Sequence, residues 1–284
     1  MRVLLATSAD LPEGEPGAAA LDAELAARGI DASWARWDDP AVDWAGADLV
    51  AVRSTWDYVH HHTEFLGWAR SLDQARLLNG ADVFQWNHDK RYLLDLDALP
   101  TVPTAWVTSA TQLVAAVDGL GTAVVKPAVG AGGEGLVILE AGLDEDQAAA
   151  HVERGAVVVQ PLVESVHTVG EVSVHVLDGR ITQRFDKRPG PGDVRVNEEH
   201  GGSVRAVPTG DVADLVMRAH AAMGERFGRP VDYLRVDLLW WEDGWVVSEL
   251  ELIEPGLYLD VSPANAAPFA DLVRSKIARS PRSA

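Results

Sequence analysis

The apolar pattern opens with a short run, Arg2 to Thr7, of a strand's length and without a helical period. Ala18 to Arg28 then carries small and apolar residues at helical spacing and is closed by Gly29. Ile30 to Trp37 and Leu49 to Arg53 read as two further strands, so the first part of the chain is a parallel, doubly wound α/β unit. Ligands of such units sit at the carboxyl ends of the strands. One such end is the polar and aromatic stretch Arg53 to Tyr58, which either caps the sheet or touches a substrate through Arg53, Ser54, Thr55 and Asp57. Phe65, Leu66, Ala69 and Leu72 predict a helix over Thr63 to Leu77. Asn87 is expected to cap a helix burying Tyr92, Leu93 and Leu96, with Lys90 and Arg91 in its first turn. Cations there oppose the helix dipole, which disfavours a purely structural role. A strand from Thr104 to Val107 and a helix from Thr111 to Val117 follow Pro100 and Pro103.

Beyond residue 120 the pattern changes to hairpins. Thr122 to Leu139 contains Gly130, Gly132 and Gly135, formally G-x-G-x-x-G, but Leu136 to Leu139 is another strand where a dinucleotide-binding fold needs a helix. The segment is therefore a β-loop-β flap. Its glycines, Gly132, Gly133 and Gly135 among them, let backbone N–H groups approach phosphate oxygens, and Lys126 on the preceding strand can reach the same phosphates. A flexible hairpin with an incidental lysine is the alternative. Protein-kinase flaps look similar, but no H-R-D or D-F-G occurs in the chain. Ala156 to Glu164 is a buried strand running into a Pro-broken hinge. Glu171 to Arg188 is a hairpin turned at Asp178-Gly179, with Glu171, Ser173 and His175 on one face and Lys187 at its far end. The polar loop from Pro189 to Gly202 is long enough for a lid or binding loop; its Arg195 could seize an anion, or be an ordinary exposed arginine. Helices are expected over Asp211 to Phe227 and Ala266 to Ala278.

Between those helices lies the hairpin Tyr233 to Leu252. Glu249 and Glu251 are two apart on a strand and share a face. A two-residue Asp243-Gly244 turn would send Asp237 to the opposite face. A three-residue turn with Gly244 left-handed would set Asp237 opposite Glu249 and Arg235 opposite Glu251. Three carboxylates and a guanidinium would then share one face, a set that suits Mg²⁺ held together with phosphates. A solvated, charged sheet face is the alternative.

Composition narrows the partners. A formal charge of -19 over 284 residues makes nucleic acid or an anionic membrane an unexpected partner, although local lysines and arginines can still bind anions. The absence of cysteine excludes disulfides, thiolate metal sites and cysteine nucleophiles. With no signal peptide and no bilayer-length apolar run, a soluble, cytoplasmic protein is expected.

Three lysines (Lys90, Lys126, Lys187), a glycine flap, a hinge strand and a carboxylate hairpin, in that order, resemble the ATP-grasp superfamily over nearly the whole chain. The stretches Trp86 to Leu93, Gly192 to Gly202 and Ser248 to Pro255 look most like its cycloserine-synthetase branch, which is similar to the RimK and glutathione-synthetase-like ligases. The resemblance implies a preATP-grasp, Rossmann-like lobe over residues 1–84 and two α+β subdomains, over 85–163 and 164–284, that clamp ATP. It also implies that Lys90, Lys126 and the loop with Gly132, Gly133 and Gly135 contact phosphates. Gln160, Leu162 and Val163 would meet adenine, Glu171 the ribose, and Lys187 adenine or phosphate. Asp237, Glu249 and Glu251 would hold two Mg²⁺ ions, the last where many relatives have Asn. Arg235, Lys126 and Arg195 would serve catalysis, and Arg53, Ser54, Thr55, Asp57, Gly201 and Gly202 would read a small amino-acid-like substrate. The implied activity is ATP-dependent carboxylate activation through an acyl phosphate, followed by attack of a nitrogen nucleophile, with ring closure as in antibiotic (cycloserine) biosynthesis as the specific form. An intermolecular amide ligase and a non-catalytic nucleotide-binding protein are the alternatives, and a homodimer is among the assemblies allowed.

Overall fold

The computed structural model describes residues 1–279. The first lobe follows the expected alternation: β1 (Arg2–Thr7), α1 (Ala18–Ala27), β2 (Asp31–Arg36) and β3 (Leu49–Ser54) build a parallel sheet in the order β2-β1-β3. Next, α2 (His62–Ser71) stops six residues short of the expected Leu77. The Gln74 amide donates to the carbonyls of Ala69 and Leu72, and Leu77 instead bridges to Val50 at the sheet edge. Helix α3 (Ala81–Asn87) ends where a helix was expected to begin. The Lys90–Asp95 turn that follows is 3₁₀ and is capped by Asp89, not Asn87, whose side chain is spent elsewhere.

The middle of the chain supplies β4 (Ala105–Val107), α4 (Ala110–Leu120), β5 (Thr122–Pro127), β6 (Val137–Glu140), α5 (Glu145–Val152) and β7 (Val157–Pro161). Its antiparallel sheet runs β4-β7-β5-β6 over a core of its own, including Leu113, Val117, Val125 and Val159. Helix α5 begins in a reciprocal Asp144–Gln147 capping box, which the sequence carries as Asp-x-x-Gln.

The third sheet, β10-β9-β8-β11-β12, comprises β8 (Glu171–Leu177), β9 (Arg180–Arg188), the unforeseen β10 (Ser203–Val207), β11 (Tyr233–Trp241) and β12 (Gly244–Glu251); α6 (Ala213–Phe227) lies between β10 and β11 in sequence. Val216, Ala219 and Met223 of α6 share a core with Val174, Val236 and the face of the first sheet that carries Leu4, Ala6, Val50 and Val52. The final helix, α7 (Ala266–Arg279), returns to the first lobe, where Phe269 and Val273 pack with Val3, Leu5, Leu21 and Leu25. The first lobe therefore closes its core with residues from the far end of the chain, and this brings the segment after β12 against the end of β3. No described helix is long and apolar enough to cross a membrane.

Candidate active site

The carboxylate hairpin pairs as the three-residue turn would have it, but by another route. Arg235 lies opposite Glu251 and Asp237 opposite Glu249. The turn itself has two residues, Glu242 and Asp243: Trp241 pairs with Gly244, Glu242 is left-handed at φ 52°, and Gly244 is an ordinary strand residue. Such a turn alone would set Asp237 against Ser248 and turn Glu249 to the other face. A β-bulge at Ser248, between the pairs Leu238–Val247 and Asp237–Glu249, restores the register. The expected left-handed Gly244 is thus corrected, while the shared face stands.

That face is clamped by cations. Arg235 donates to Asp237 at 2.9 and 2.7 Å and also reaches Glu251, and Ser173 donates to Asp237 at 2.5 Å. Lys90 contacts Glu249 at 2.6 Å and donates to the Gly130 carbonyl at 2.7 Å, joining the hairpin to the root of the flap. Its neighbours hold the outer edge of β12. Asn87 bonds both the Leu250 carbonyl and the Leu252 N–H at 2.8 Å, and the Tyr92 hydroxyl bridges the N–H and carbonyl of Leu250. The Asn87–Tyr92 stretch thereby satisfies an edge strand that would otherwise present bare backbone groups.

Lys126 differs from the other lysines. Its side chain makes no hydrogen bond or ion pair with a described residue, and it faces a cavity of about 140 Å³ shared with Lys90, Asp237 and Glu249 beneath the flap. Gly132, Gly133 and Gly135 are left-handed at φ 63–73°. A Cβ on Gly135 would stand 2.8 Å from the Pro127 ring, so both the turn and its closeness to β5 require glycine there. The flap meets the 189–202 loop: His200 lies 3.2 Å from the Gly132 carbonyl, and Arg195 packs on Gly133. Arg195 is already held by Asp193 at 2.6 Å, so in this structure its anion partner is internal. Glu171 and Lys187, paired across β8 and β9 at 2.9 Å, complete the wall.

A second cavity, of about 500 Å³, opens from the first and shares Glu251, Arg235 and Lys187 with it. Several expected site residues lie outside both cavities. Arg53 is fully buried, paired with Glu15 at 2.6 Å and stacked on Phe269; Ser54 bonds Thr7; Thr55 is buried; and Asp57 accepts from the Trp37 indole. The same segment does reach the larger cavity, through Trp56, Val59 and His60. Arg53, at the end of β3, points into the core, and Asp57, half-buried on the following 3₁₀ turn, is turned toward Trp37. Gln160, which bonds Thr104, also lies off both walls, as do Leu162, Val163, Gly201 and Gly202. Gly202 has a packing reason to be glycine, since a Cβ would meet the Val196 carbonyl oxygen at 2.3 Å. Wall residues not anticipated include Glu254 and Tyr258, the latter strained at φ 52° beneath Lys187 and Arg235.

Burial taxes every charge here, and the neighbours decide each outcome. Against burial, Arg235 and Lys187 keep Asp237 below the ordinary carboxylate range, and Lys90 and Lys126 do the same for Glu249. Burial prevails at Glu251, where Asp237 and Glu249 add repulsion that Arg235 does not cancel, and its carboxyl is pushed up to about 7. Glu171 is likewise raised by burial despite Lys187. Burial opposes the charge of Lys90, but Glu249 more than offsets it and the ammonium is held above its ordinary value. Lys126 is lowered by burial, which Glu249 only partly counters.

Residues 3–79 match the family model for the D-cycloserine synthetase DcsG, N-terminal domain. The crystal structure of D-cycloserine synthetase DcsG is similar at a TM-score of 0.84 and 29% identity, covering 98% of this chain and 100% of that one. The ATP-grasp ligase PsnB, complexed with minimal precursor, Mg and ADP, gives 0.66 at 18% identity over 98% of both chains. D-alanine–D-alanine ligase from Bacillus anthracis gives 0.65 at 16%, again over 98% of both. The last two likenesses, at such identity, are of fold. A search of curated protein sequences finds no match.

Proposed function

We propose that this chain, an ATP-grasp, ATP-dependent ligase similar to D-cycloserine synthetase, activates the carboxylate of a small amino-acid-like substrate and closes a ring onto it. The observation that carries the reading is one cavity that joins the unpartnered Lys126, the left-handed glycine loop and the carboxylates of Asp237, Glu249 and Glu251. Phosphoryl transfer needs alignment and charge neutralisation more than a protein nucleophile, and this set is built for that.

In this reading Lys126 and Lys90 bind ATP phosphates, with the N–H groups of the Gly132–Gly135 turn above them. Gln160, Leu162 and Val163 serve the adenine, and Glu171 and Lys187 the nucleoside, in a conformation opened toward β7. Asp237, Glu249 and Glu251 are hard oxygen donors that fit Mg²⁺, with two ions as the expected number. Mg²⁺ commonly takes only one or two carboxylates and completes its shell with phosphates and water. Among the described residues no group of three or more His, Cys, Asp or Glu is arranged to hold a metal ion by itself, so phosphates and water would have to supply the rest of the shell. Bound there, Mg²⁺ would neutralise phosphate charge. Arg235 would release part of its grip on Asp237 and Glu251 to face the transferring group. The substrate carboxylate takes the γ-phosphoryl group and ADP leaves. A nitrogen of the same molecule then attacks the carbonyl carbon, the C–O bond breaks, phosphate departs with the electron pair, and the nitrogen gives up one proton to solvent.

Phosphate release tests this directly. Opening the ring amide of D-cycloserine with water gives β-aminooxy-D-alanine, which serves as the probe. Release with this compound, ATP and Mg²⁺ alone is the expected result. Release only after a second amine is added would favour intermolecular ligation, and ATP binding without release across an amino-acid panel would overturn the ligase reading.

A further inference from the structure

One carboxyl on the cavity wall is unused by the chemistry above. Glu254 stands three residues beyond Glu251, where the chain leaves β12, and is only 6% exposed. Its carboxyl makes no hydrogen bond or ion pair with a described residue, whereas its main-chain carbonyl accepts from the Trp56 indole at 3.2 Å, which fixes the residue in place. It lines both cavities, so it marks the passage from the phosphate pocket to the larger space. Buried polar groups almost always have partners, and one that faces a cavity without a protein partner is open to a water or to a ligand that displaces it.

The rest of the wall indicates which ligand. Glu15 is taken by Arg53, Glu134 lies 3.5 Å from His60, Glu251 is held by Arg235, and the other acids of the wall, Glu198, Glu199 and Asp260, are exposed to solvent, unlike Glu254. Both cations of the larger cavity, Lys187 and Arg235, are already paired with Glu171 and Asp237. An entering anion would find no free cation there, whereas an entering cation would find Glu254. Burial and the nearby Glu251 hold the Glu254 carboxyl well above its ordinary range, with Arg235 and Lys90 opposing and Glu249 reinforcing this. A positive charge arriving beside it would draw it into the ionised form.

We propose that Glu254 receives the α-ammonium group of the substrate, so that the larger cavity selects a small molecule with a cationic nitrogen beside the carboxylate to be activated. This rests on the ligase reading. Glu254 would determine specificity, holding the carbon next to the reacting carboxyl while Arg235 and the metal-binding carboxylates act on the carboxyl itself.

The test compares β-aminooxy-D-alanine with 3-aminooxypropanoate, the same molecule without its α-ammonium, by phosphate release. In the wild type, kcat/KM for the first should exceed that for the second by about tenfold to a hundredfold, the worth of a hydrogen-bonded charge. Glu254→Gln keeps the volume and a hydrogen-bond donor but cannot carry charge. It should erase the preference, mainly through a higher KM for β-aminooxy-D-alanine, with the KM for ATP unchanged, and Glu254→Asp should restore part of it. A Gln variant that keeps the wild-type preference overturns the proposal and shows instead a neutral carboxyl donating a hydrogen bond. Should the Gln variant fail to fold, the wild-type pair still decides, since equal use of both compounds overturns the proposal. A wild type silent with both overturns the ligase reading itself.

Discussion

Asp237 and Glu249 face each other across β11 and β12 because Ser248 is left out of the ladder. The two-residue turn at Glu242 and Asp243 has the wrong parity for that pairing, and the bulge corrects it. Register, and with it the composition of the carboxylate face, is therefore set beside the site and not at the turn ten ångströms or so of strand away, at about 3.4 Å per residue.

The turn should then be free to improve. Glu242 is left-handed at φ 52°, a conformation that burdens any residue with a Cβ. Glu242→Gly should stabilise the protein by about 0.5–1 kcal/mol, after allowing for glycine's greater freedom in the unfolded chain. Urea unfolding checks the gain, and phosphate release should be unaltered.

Lys126 should show the opposite trade. An unpartnered, buried cation is unfavourable by itself, and in the proposed reading ATP phosphate relieves it. Lys126→Met should raise the unfolding midpoint of the nucleotide-free protein by a few degrees, a shift worth about 1 kcal/mol at this chain length. The same variant should lose the stabilisation that added ATP gives the wild type. Thermal unfolding with and without ATP measures both.

His175 supplies a pH dependence. It is fully buried, its Nε2–H donates to the Gly256 carbonyl at 2.9 Å, and burial, aided by Arg235, depresses it from 6.5 to about 3. The unfolded chain binds the proton more readily than the folded one. The stability His175 contributes is therefore fully present above pH 6.5 and is lost as pH falls toward 3. His175→Gln, which keeps a donor for Gly256, should flatten that part of the stability curve relative to wild type. Denaturant unfolding at pH 7, 6, 5 and 4 reads the difference.

Much of this was legible in the residues because period and punctuation report burial directly. The parallel first sheet, the glycine flap and both long hairpins are of that kind. The bulge was not legible, since Ser248 carries no backbone signature of the sort a glycine gives. The Asn87–Tyr92 stretch was read as a capped helix because helical spacing marks buried positions. That Asn87 and Tyr92 turn their polar atoms onto the edge of β12 is a tertiary fact. A polar strand end is equally compatible with a sheet cap and a substrate contact, and the structure has Glu15 and Trp37 claim Arg53 and Asp57. Glu254 is not legible in the sequence, because no spacing rule marks a carboxyl that is buried and without a protein partner.

The central claim is that the face holding Asp237, Glu249 and Glu251 performs the chemistry. Glu249→Gln tests it most directly, since the change is isosteric and Lys90 keeps an oxygen to contact. With β-aminooxy-D-alanine, ATP and Mg²⁺, the account predicts that this variant loses phosphate release by at least about a hundredfold, the scale of losing one electrostatic contact in the transition state. The variant should still unfold in one cooperative transition, at a lower midpoint because the buried Lys90 loses its charged partner. Undiminished phosphate release from a folded Glu249→Gln protein would contradict the account.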